Sequence, residues 1–188
     1  MQPEEIDWFL YGKRALKGFQ RAAGGSGGPK CPHFIVKHLG NSKIEHLHIN
    51  AKELERKTED GQVKTMVFTH GLSGSGLMYS QILRSYADAG FTVYALEHHD
   101  GSNVYTFDRN GQELVYVNSM GLNDLPTRTE QIECRITELE ALIQELDQDI
   151  ILGGHSFGGM TALLVASRNV SNKIKGLWVM DPWYFPKL

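Results

Sequence analysis

Short apolar runs alternate along the chain with longer segments in which apolar residues recur at helical spacing. The runs at 63–69, 91–97, 149–153 and 174–180 are typical of buried strands, and the segments at 77–89, 128–146 and 157–168 are typical of helices. Two further runs, 104–107 and 113–117, flank turn-forming residues and predict a β-hairpin. Strands that alternate with helices predict an α/β fold, with a mostly parallel sheet covered by helices on both faces.

The helix predicted over 128–146 has the clearest pattern. Its apolar residues recur at spacings of four and three, which places them on one face of a helix. Thr127, with Glu130 three residues later, predicts a capping box at its start. The residues expected to face the core are Ile132, Ile136, Leu139, Ile143 and Leu146.

Residues 1–60 are less regular, and we interpret them as an N-terminal helix, a Gly-rich loop and a leading strand ahead of a core at 61–188. Segment 6–21 mixes aromatic and basic residues and predicts a helix, 24–29 predicts a loop, and 44–50 predicts a strand. A basic, aromatic helix either packs against the body of the protein or makes a peripheral contact with a phospholipid membrane. Both alternatives stay open for 6–21.

Composition narrows the class of protein. The chain has 188 residues, 41% of them hydrophobic, which predicts a single domain with one core. Lys and Arg total 19 against 22 Asp and Glu, so no global basic field favours nucleic acid as a partner. Cys31 and Cys134 form no CxxC pair, which argues against a disulfide framework or a thiolate zinc site. No apolar run approaches the roughly 20 residues that span a bilayer, and the acidic start does not resemble a signal peptide, so we expect a cytoplasmic location.

The segment Gly154-His155-Ser156-Phe157-Gly158 is a Gly-x-Ser-x-Gly motif between a predicted strand and a predicted helix. The chemistry requires the serine on a strained turn with positive φ, and that turn leaves room only for small residues two positions before and after it. We therefore predict Ser156 as a nucleophile. The alternative is a Gly-rich turn that binds an anion at a helix N-terminus, but no lysine follows, as it does in phosphate loops.

Acyl transfer also requires backbone N–H groups that stabilise an oxyanion. The usual donors are the residue after the serine and a residue in the loop after an earlier strand. Phe157 fills the first position, and Leu72, in the His70-Gly71-Leu72 segment after the 63–69 strand, fills the second. A plain strand-to-helix turn is the alternative for this loop.

Asp181 follows the strand at 174–180 and precedes Pro182, so it occupies the position expected for the acid of a catalytic triad. Its alternative role is a turn or capping aspartate. A triad base would follow the acid, yet 182–188 contains no histidine. The histidines all lie upstream: His33, His38, His46, His48, His70, His98, His99 and His155. We expect His70 and His155 to orient their own loops, and the pairs at 46/48 and 98/99 are weak indications of a metal site.

With these motifs the chain resembles the platelet-activating-factor acetylhydrolase family of α/β-hydrolases. The resemblance rests on VFTHGLSGSGLMYS at 67–80, GFTVYALEHHDGS at 90–102, RTEQIECRI at 128–136, GGHSFGG at 153–159 and MDPWYFP at 180–186. It implies an α/β-hydrolase fold truncated before its last strands, Ser156 as nucleophile, Asp181 as acid, Leu72 and Phe157 as oxyanion donors, and a histidine supplied beyond Leu188. It also implies no calcium or other cofactor.

The resemblance implies hydrolysis of short sn-2 acyl groups from phospholipids through an acyl-enzyme. Without its histidine, the chain by itself is expected to be a weak catalyst. Two alternatives remain from the sequence. One is a general short-chain carboxylesterase or polyester hydrolase, and the other is a non-catalytic lipid-binding relic.

Overall fold

The computed structural model describes residues 64–108, 110–117, 124–169 and 171–184, together with the backbone of 6–7 and 43–44. The strands are β1 (Ile6–Asp7), β2 (Lys43–Ile44), β3 (Lys64–Thr69), β4 (Phe91–Leu96), β5 (Tyr105–Phe107), β6 (Glu113–Val115), β7 (Ile150–His155) and β8 (Ile174–Met180). The α-helices are α1 (Ser80–Asp88), α2 (Leu125–Glu145) and α3 (Phe157–Arg168), and a 3₁₀ turn over Gly76–Tyr79 precedes α1.

Strands β4, β3, β7 and β8 form one parallel sheet in that spatial order. Strands β5 and β6 pair antiparallel as the predicted hairpin. In an all-parallel sheet every strand ends at the same edge, so the loops after β3 and β7 and the residues after β8 lie together. The predicted α/β fold with a parallel sheet is confirmed.

Helices cover both faces of this sheet. Successive side chains of β3 point to opposite faces, so neighbouring residues of this strand pack against different helices. Val67 faces the stripe of α2 and the buried residues of α3. Met66 and Phe68 face Leu83 of α1 on the other side. All five residues of the predicted α2 stripe are buried, which confirms the core face expected from their spacing.

The start of α2 differs from the prediction. The helix begins at Leu125, and its N-cap is Asp124, whose carboxylate accepts from the Thr127 N–H at 3.3 Å and from the Thr127 hydroxyl at 2.8 Å. The predicted capping box at Thr127 and Glu130 is therefore wrong. Pro126 explains the shift, because proline is well tolerated in the first turn, where its missing N–H costs no hydrogen bond.

The N-terminal prediction is wrong at Ile6 and Asp7, which form strand β1 rather than the start of a helix. They pair antiparallel with Ile44 and Lys43 of β2, and this pairing satisfies backbone groups that a helix would bond internally. The rest of 6–21, the loop at 24–29 and the remainder of the strand predicted at 44–50 lie outside the described residues. The division at residue 60 stays a prediction. In the part of the chain that the structure describes, no helix is long and apolar enough to cross a membrane.

Candidate active site

Ser156 lies at the turn between β7 and α3, in a backbone conformation that is strained for a residue with a side chain. Its φ is 52° and its ψ −116°, which are values that favour glycine. The Ser156 N–H donates to the Met180 carbonyl at 2.9 Å, and its carbonyl accepts from the Trp183 N–H at 2.9 Å. The positive φ that the motif predicts is present, and the strand and loop around Asp181 hold the turn on both sides.

The glycines of the motif lie where a side chain would collide with backbone. A Cβ on Gly154 would lie 2.5 Å from the Gly158 carbonyl oxygen, and a Cβ on Gly158 would lie 2.2 Å from the Thr69 carbonyl oxygen. Gly158 also approaches the His70 carbonyl, at 2.6 Å from the same Cβ position. Because these two glycines lack side chains, the N-terminus of α3 can pack directly against the loop that follows β3.

That loop orients the predicted oxyanion donor, Leu72. The Gly71 carbonyl accepts from the Gly74 N–H at 3.1 Å and from His70 Nδ1 at 2.8 Å, and Ser73 has a φ of 54°. In a trans peptide the N–H points opposite to the carbonyl. The Leu72 N–H therefore points away from both of these donors, and none of the described residues accepts a hydrogen bond from it.

Phe157, the other predicted donor, is the first residue of α3. Its N–H lies at the N-terminus of that helix, where the helix dipole favours negative charge. Gly158 beside it is the residue that contacts the loop after β3. Ser156, Phe157 and Leu72 therefore lie at one edge of the sheet, as the sequence predicts, while their catalytic roles remain predictions.

His70 is held in its neutral form. Burial, and next the positive charge of Arg135, lower its pKa well below the usual value. With the proton on Nδ1, its Nε2 faces the Asn103 side-chain amide at 3.3 Å and the His98 N–H at 3.5 Å, and both of these groups can donate. The Nδ1–H is thereby directed to the Gly71 carbonyl, so His70 orients the loop over 70–75, called the oxyanion loop below after the role predicted for Leu72.

Tyr79 connects the oxyanion loop to the serine turn. Its hydroxyl oxygen accepts from the Gly71 N–H at 3.1 Å, so its own hydrogen can be donated to His155 Nδ1 at 2.7 Å. Burial raises the pKa of Tyr79, which keeps this phenol protonated. The end of β7, at His155, is thus connected to the loop after β3 by a tyrosine that the sequence patterns did not single out.

Asp181 follows β8, is exposed and has a φ of 40°. Two residues of its own segment, Met180 and Trp183, hydrogen-bond to the backbone of Ser156, so the structure brings the predicted acid to the edge that holds the nucleophile. Among the described residues, no histidine side chain hydrogen-bonds to Ser156 or Asp181. The described histidines therefore do not complete a triad at Ser156.

A second hydroxyl–imidazole–carboxylate arrangement lies behind the loop. The Thr69 hydroxyl contacts His98 Nε2 at 2.7 Å, and His98 Nδ1 contacts Glu138 at 2.6 Å. Thr69 and His98 are fully buried, so neither can meet a substrate. Within the described residues, no group of three or more histidine, cysteine or acidic side chains could hold a metal ion.

Cys134 is a free thiol on α2 and is only partly buried. Burial, followed by the charges of Glu138 and Asp100, raises its pKa to about 11. Since the thiolate is the reactive form, this cysteine is a poor nucleophile at neutral pH. Cys31 lies outside the described residues.

Comparison with known proteins supports the fold and the resemblance. The model of the alpha/beta hydrolase family matches residues 66–188. Platelet-activating factor acetylhydrolase of Bos taurus is 28% identical over 158 residues, covering 64% of this chain and 35% of that protein. The protein of the same name from Canis lupus familiaris matches with the same identity and coverage. The chain therefore spans about a third of the length of these curated relatives.

A solved structure shows the same fold. The ferulic acid esterase from Streptomyces cinnamoneus superposes with a TM-score of 0.50 at 17% identity, covering 64% of this chain and 38% of that one. At this identity the likeness concerns the arrangement of strands and helices alone.

Proposed function

Because the chain belongs to the alpha/beta hydrolase family, we propose that it is the nucleophile-bearing part of a serine carboxylic-ester hydrolase. The observation that carries this proposal is the strained conformation of Ser156 between β7 and α3. Strain of this kind persists only where the surrounding structure enforces it, and it clusters at active sites. Here it places a hydroxyl at the edge of the sheet where the Leu72 N–H and the Phe157 N–H also lie.

The proposed reaction proceeds through an acyl-enzyme. Ser156 Oγ attacks the acyl carbonyl while a histidine outside the described residues takes its proton, and the carbonyl oxygen becomes the oxyanion. The N–H groups of Leu72 and Phe157 stabilise that oxyanion, and Asp181 orients the histidine. The alcohol leaves with the proton, and water then repeats the sequence to release the carboxylic acid.

We assign the substrate to phospholipids with short sn-2 acyl groups. The similarity to the two platelet-activating factor acetylhydrolases supports this class. Exposed apolar side chains also follow the predicted site residues in sequence, Leu77 and Met78 after the oxyanion loop and Tyr184 after Asp181. Such side chains suit an amphiphilic substrate better than a small polar ester.

The test measures the rate of ester hydrolysis by the protein as expressed from its own gene, and Ser156→Ala is the matched control. A 2-acetyl phospholipid and p-nitrophenyl acetate are compared, with and without EDTA. We expect Ser156-dependent hydrolysis that favours the phospholipid and is unchanged by EDTA. Equal rates on both esters would favour a general esterase, and lipid binding without any turnover would contradict the enzymatic proposal.

A further inference from the structure

The guanidinium group of Arg135, on α2, is fully buried behind the oxyanion loop. Its Nη1 donates to the His70 carbonyl at 2.6 Å, and its Nε donates to Asp100 Oδ2 at 2.8 Å. Nε and Nη2 also donate to the Ser102 hydroxyl. The Asp100 carboxylate is buried as well, so the charge is paired inside the protein. Such a pair adds little net stability, because removing both charges from water costs about as much free energy as their attraction returns.

One contact of Arg135 fixes a peptide of the oxyanion loop. The His70 carbonyl belongs to the same peptide unit as the Gly71 N–H, which donates to Tyr79. Arg135 and Tyr79 thus hold this unit at its two ends. The next peptide unit carries the Leu72 N–H and shares the Gly71 α-carbon, so rotation of the first unit would turn the second away from the oxyanion.

A second contact of Arg135 reaches the other side of the predicted oxyanion hole. The guanidinium carbon lies 4.7 Å from the centre of the Phe157 ring, within the range of a cation–π interaction. Phe157 supplies the N–H that follows the nucleophile, and its side chain is fully buried. One guanidinium therefore contacts both segments that carry the predicted donors.

We propose that Arg135 is a positioning residue of the oxyanion hole, which fixes the Leu72 and Phe157 N–H groups relative to one another. This inference rests on the proposed function, because it assigns these two groups to the oxyanion. Lysine would keep the charge opposite Asp100, but its single nitrogen cannot reproduce the planar fork that reaches Asp100, Ser102 and the His70 carbonyl together.

The chain offers a matched control in Arg128, a second buried arginine two turns earlier on α2. Its guanidinium donates to the Gln131 side-chain oxygen and, at 3.2 Å, to the Tyr116 hydroxyl, whereas that of Arg135 donates to the His70 carbonyl. We therefore compare Arg135→Lys with Arg128→Lys by hydrolysis of p-nitrophenyl acetate, with rates divided by the number of Ser156 sites that a fluorophosphonate titrates. Normalisation removes any loss that arises only from unfolded protein.

We expect Arg135→Lys to lower kcat per site about 30-fold and to leave KM within about 2-fold of the wild-type value. Losing an oxyanion donor lowers kcat about 100 to 1000-fold, and a donor that is only misdirected should cost less. Arg128→Lys should keep kcat within about 2-fold. Unchanged kcat in Arg135→Lys, or an equal fall in both variants, would overturn the proposal.

If Arg135→Lys does not fold, Ser102→Ala loosens the same guanidinium without removing its charge, and it should lower kcat about 5-fold, since Arg135 keeps its other bonds.

A measurement that needs no turnover separates this inference from the proposed function. If wild-type protein neither labels at Ser156 nor hydrolyses ester, the proposed function fails, and amide NMR still decides the role of Arg135. Shifts or broadening of the Gly71, Leu72 and Phe157 amide signals in Arg135→Lys but not in Arg128→Lys support positioning. Unchanged signals in both variants contradict it.

Discussion

The Ser156 N–H donates to the Met180 carbonyl 2.9 Å away, which ties the turn that holds the nucleophile to the strand that ends at the predicted acid. The bond belongs to the backbone, so replacing Ser156 with alanine or glycine, or Asp181 with asparagine, leaves both of its atoms in place. Substitutions at these two positions can therefore test chemistry and strain without separating the two segments.

Replacing Ser156 tests the strain at the turn. Glycine accommodates a φ of 52°, whereas alanine keeps the Cβ that makes this conformation unfavourable. We expect Ser156→Gly to be about 1 kcal/mol more stable than Ser156→Ala, since the relieved strain exceeds the entropy that glycine adds to the unfolded chain. Thermal unfolding compares the two proteins, both of which should be inactive. A lower melting temperature for the glycine variant would show that the turn is not strained.

Replacing Gly158 tests the close approach of α3 to the loop after β3. A methyl group there would lie 2.2 Å from the Thr69 carbonyl oxygen, so Gly158→Ala should destabilise the protein by about 3 kcal/mol or more in urea unfolding. Gly176→Ala is the matched control, because its added methyl group would meet Ile151 only at 3.4 Å. Equal stability of the two variants would contradict the packing described here.

Stability should depend on pH through His70 and His98. Burial depresses the pKa of both in the folded protein, so the unfolded chain binds more protons as the pH falls. The free energy of unfolding should therefore be level near pH 7, decline once the pH drops below about 6.5, and continue to fall towards the folded pKa. Urea titrations from pH 7.5 to 5.5 measure it. Stability that rises towards pH 5.5 would contradict neutral, buried histidines at these two positions.

Asp181→Asn tests the assignment of the acid. Asparagine tolerates the φ of 40° as well as aspartate does, so the fold should be unaffected. If Asp181 orients the base, kcat should fall by about 1000 to 10000-fold, because the base loses its correct tautomer and charge partner. Turnover of p-nitrophenyl acetate in the protein expressed from its own gene provides the measurement. A fall of less than about 10-fold would assign the acid to another residue.

The sheet and the serine turn could be predicted because their signals are local. Apolar runs and a helical period of apolar residues follow directly from burial, and the glycines around Ser156 follow from the space available at a strained turn. The start of α2 was predicted wrongly because Thr127 and Glu130 match the spacing of a capping box, whereas in the structure Asp124 supplies the capping carboxylate.

Arg135 and Tyr79 could not be identified in this way, since their partners lie far away in the sequence. Arg128, Gln131, Arg135 and Glu138 follow one another on α2 at the same spacings as the apolar stripe, and such a row is typical of a solvent-exposed face. Here Gln131 and Arg135 are buried against the loops that follow β3 and β4, and Arg128 is buried beside Tyr116, which follows β6. The regular spacing of these polar residues is visible in the sequence. The contacts that bury them come from distant segments, so the spacing alone cannot predict their burial.

The nucleophilic role of Ser156 is tested most directly by the site of covalent labelling by a fluorophosphonate in the protein expressed from its own gene. We expect one adduct per molecule, located on Ser156 by peptide mass spectrometry, absent in Ser156→Ala and formed much more slowly in Asp181→Asn. An adduct on another residue, or no adduct in folded protein that binds phospholipid, would contradict the assignment of Ser156 as the nucleophile.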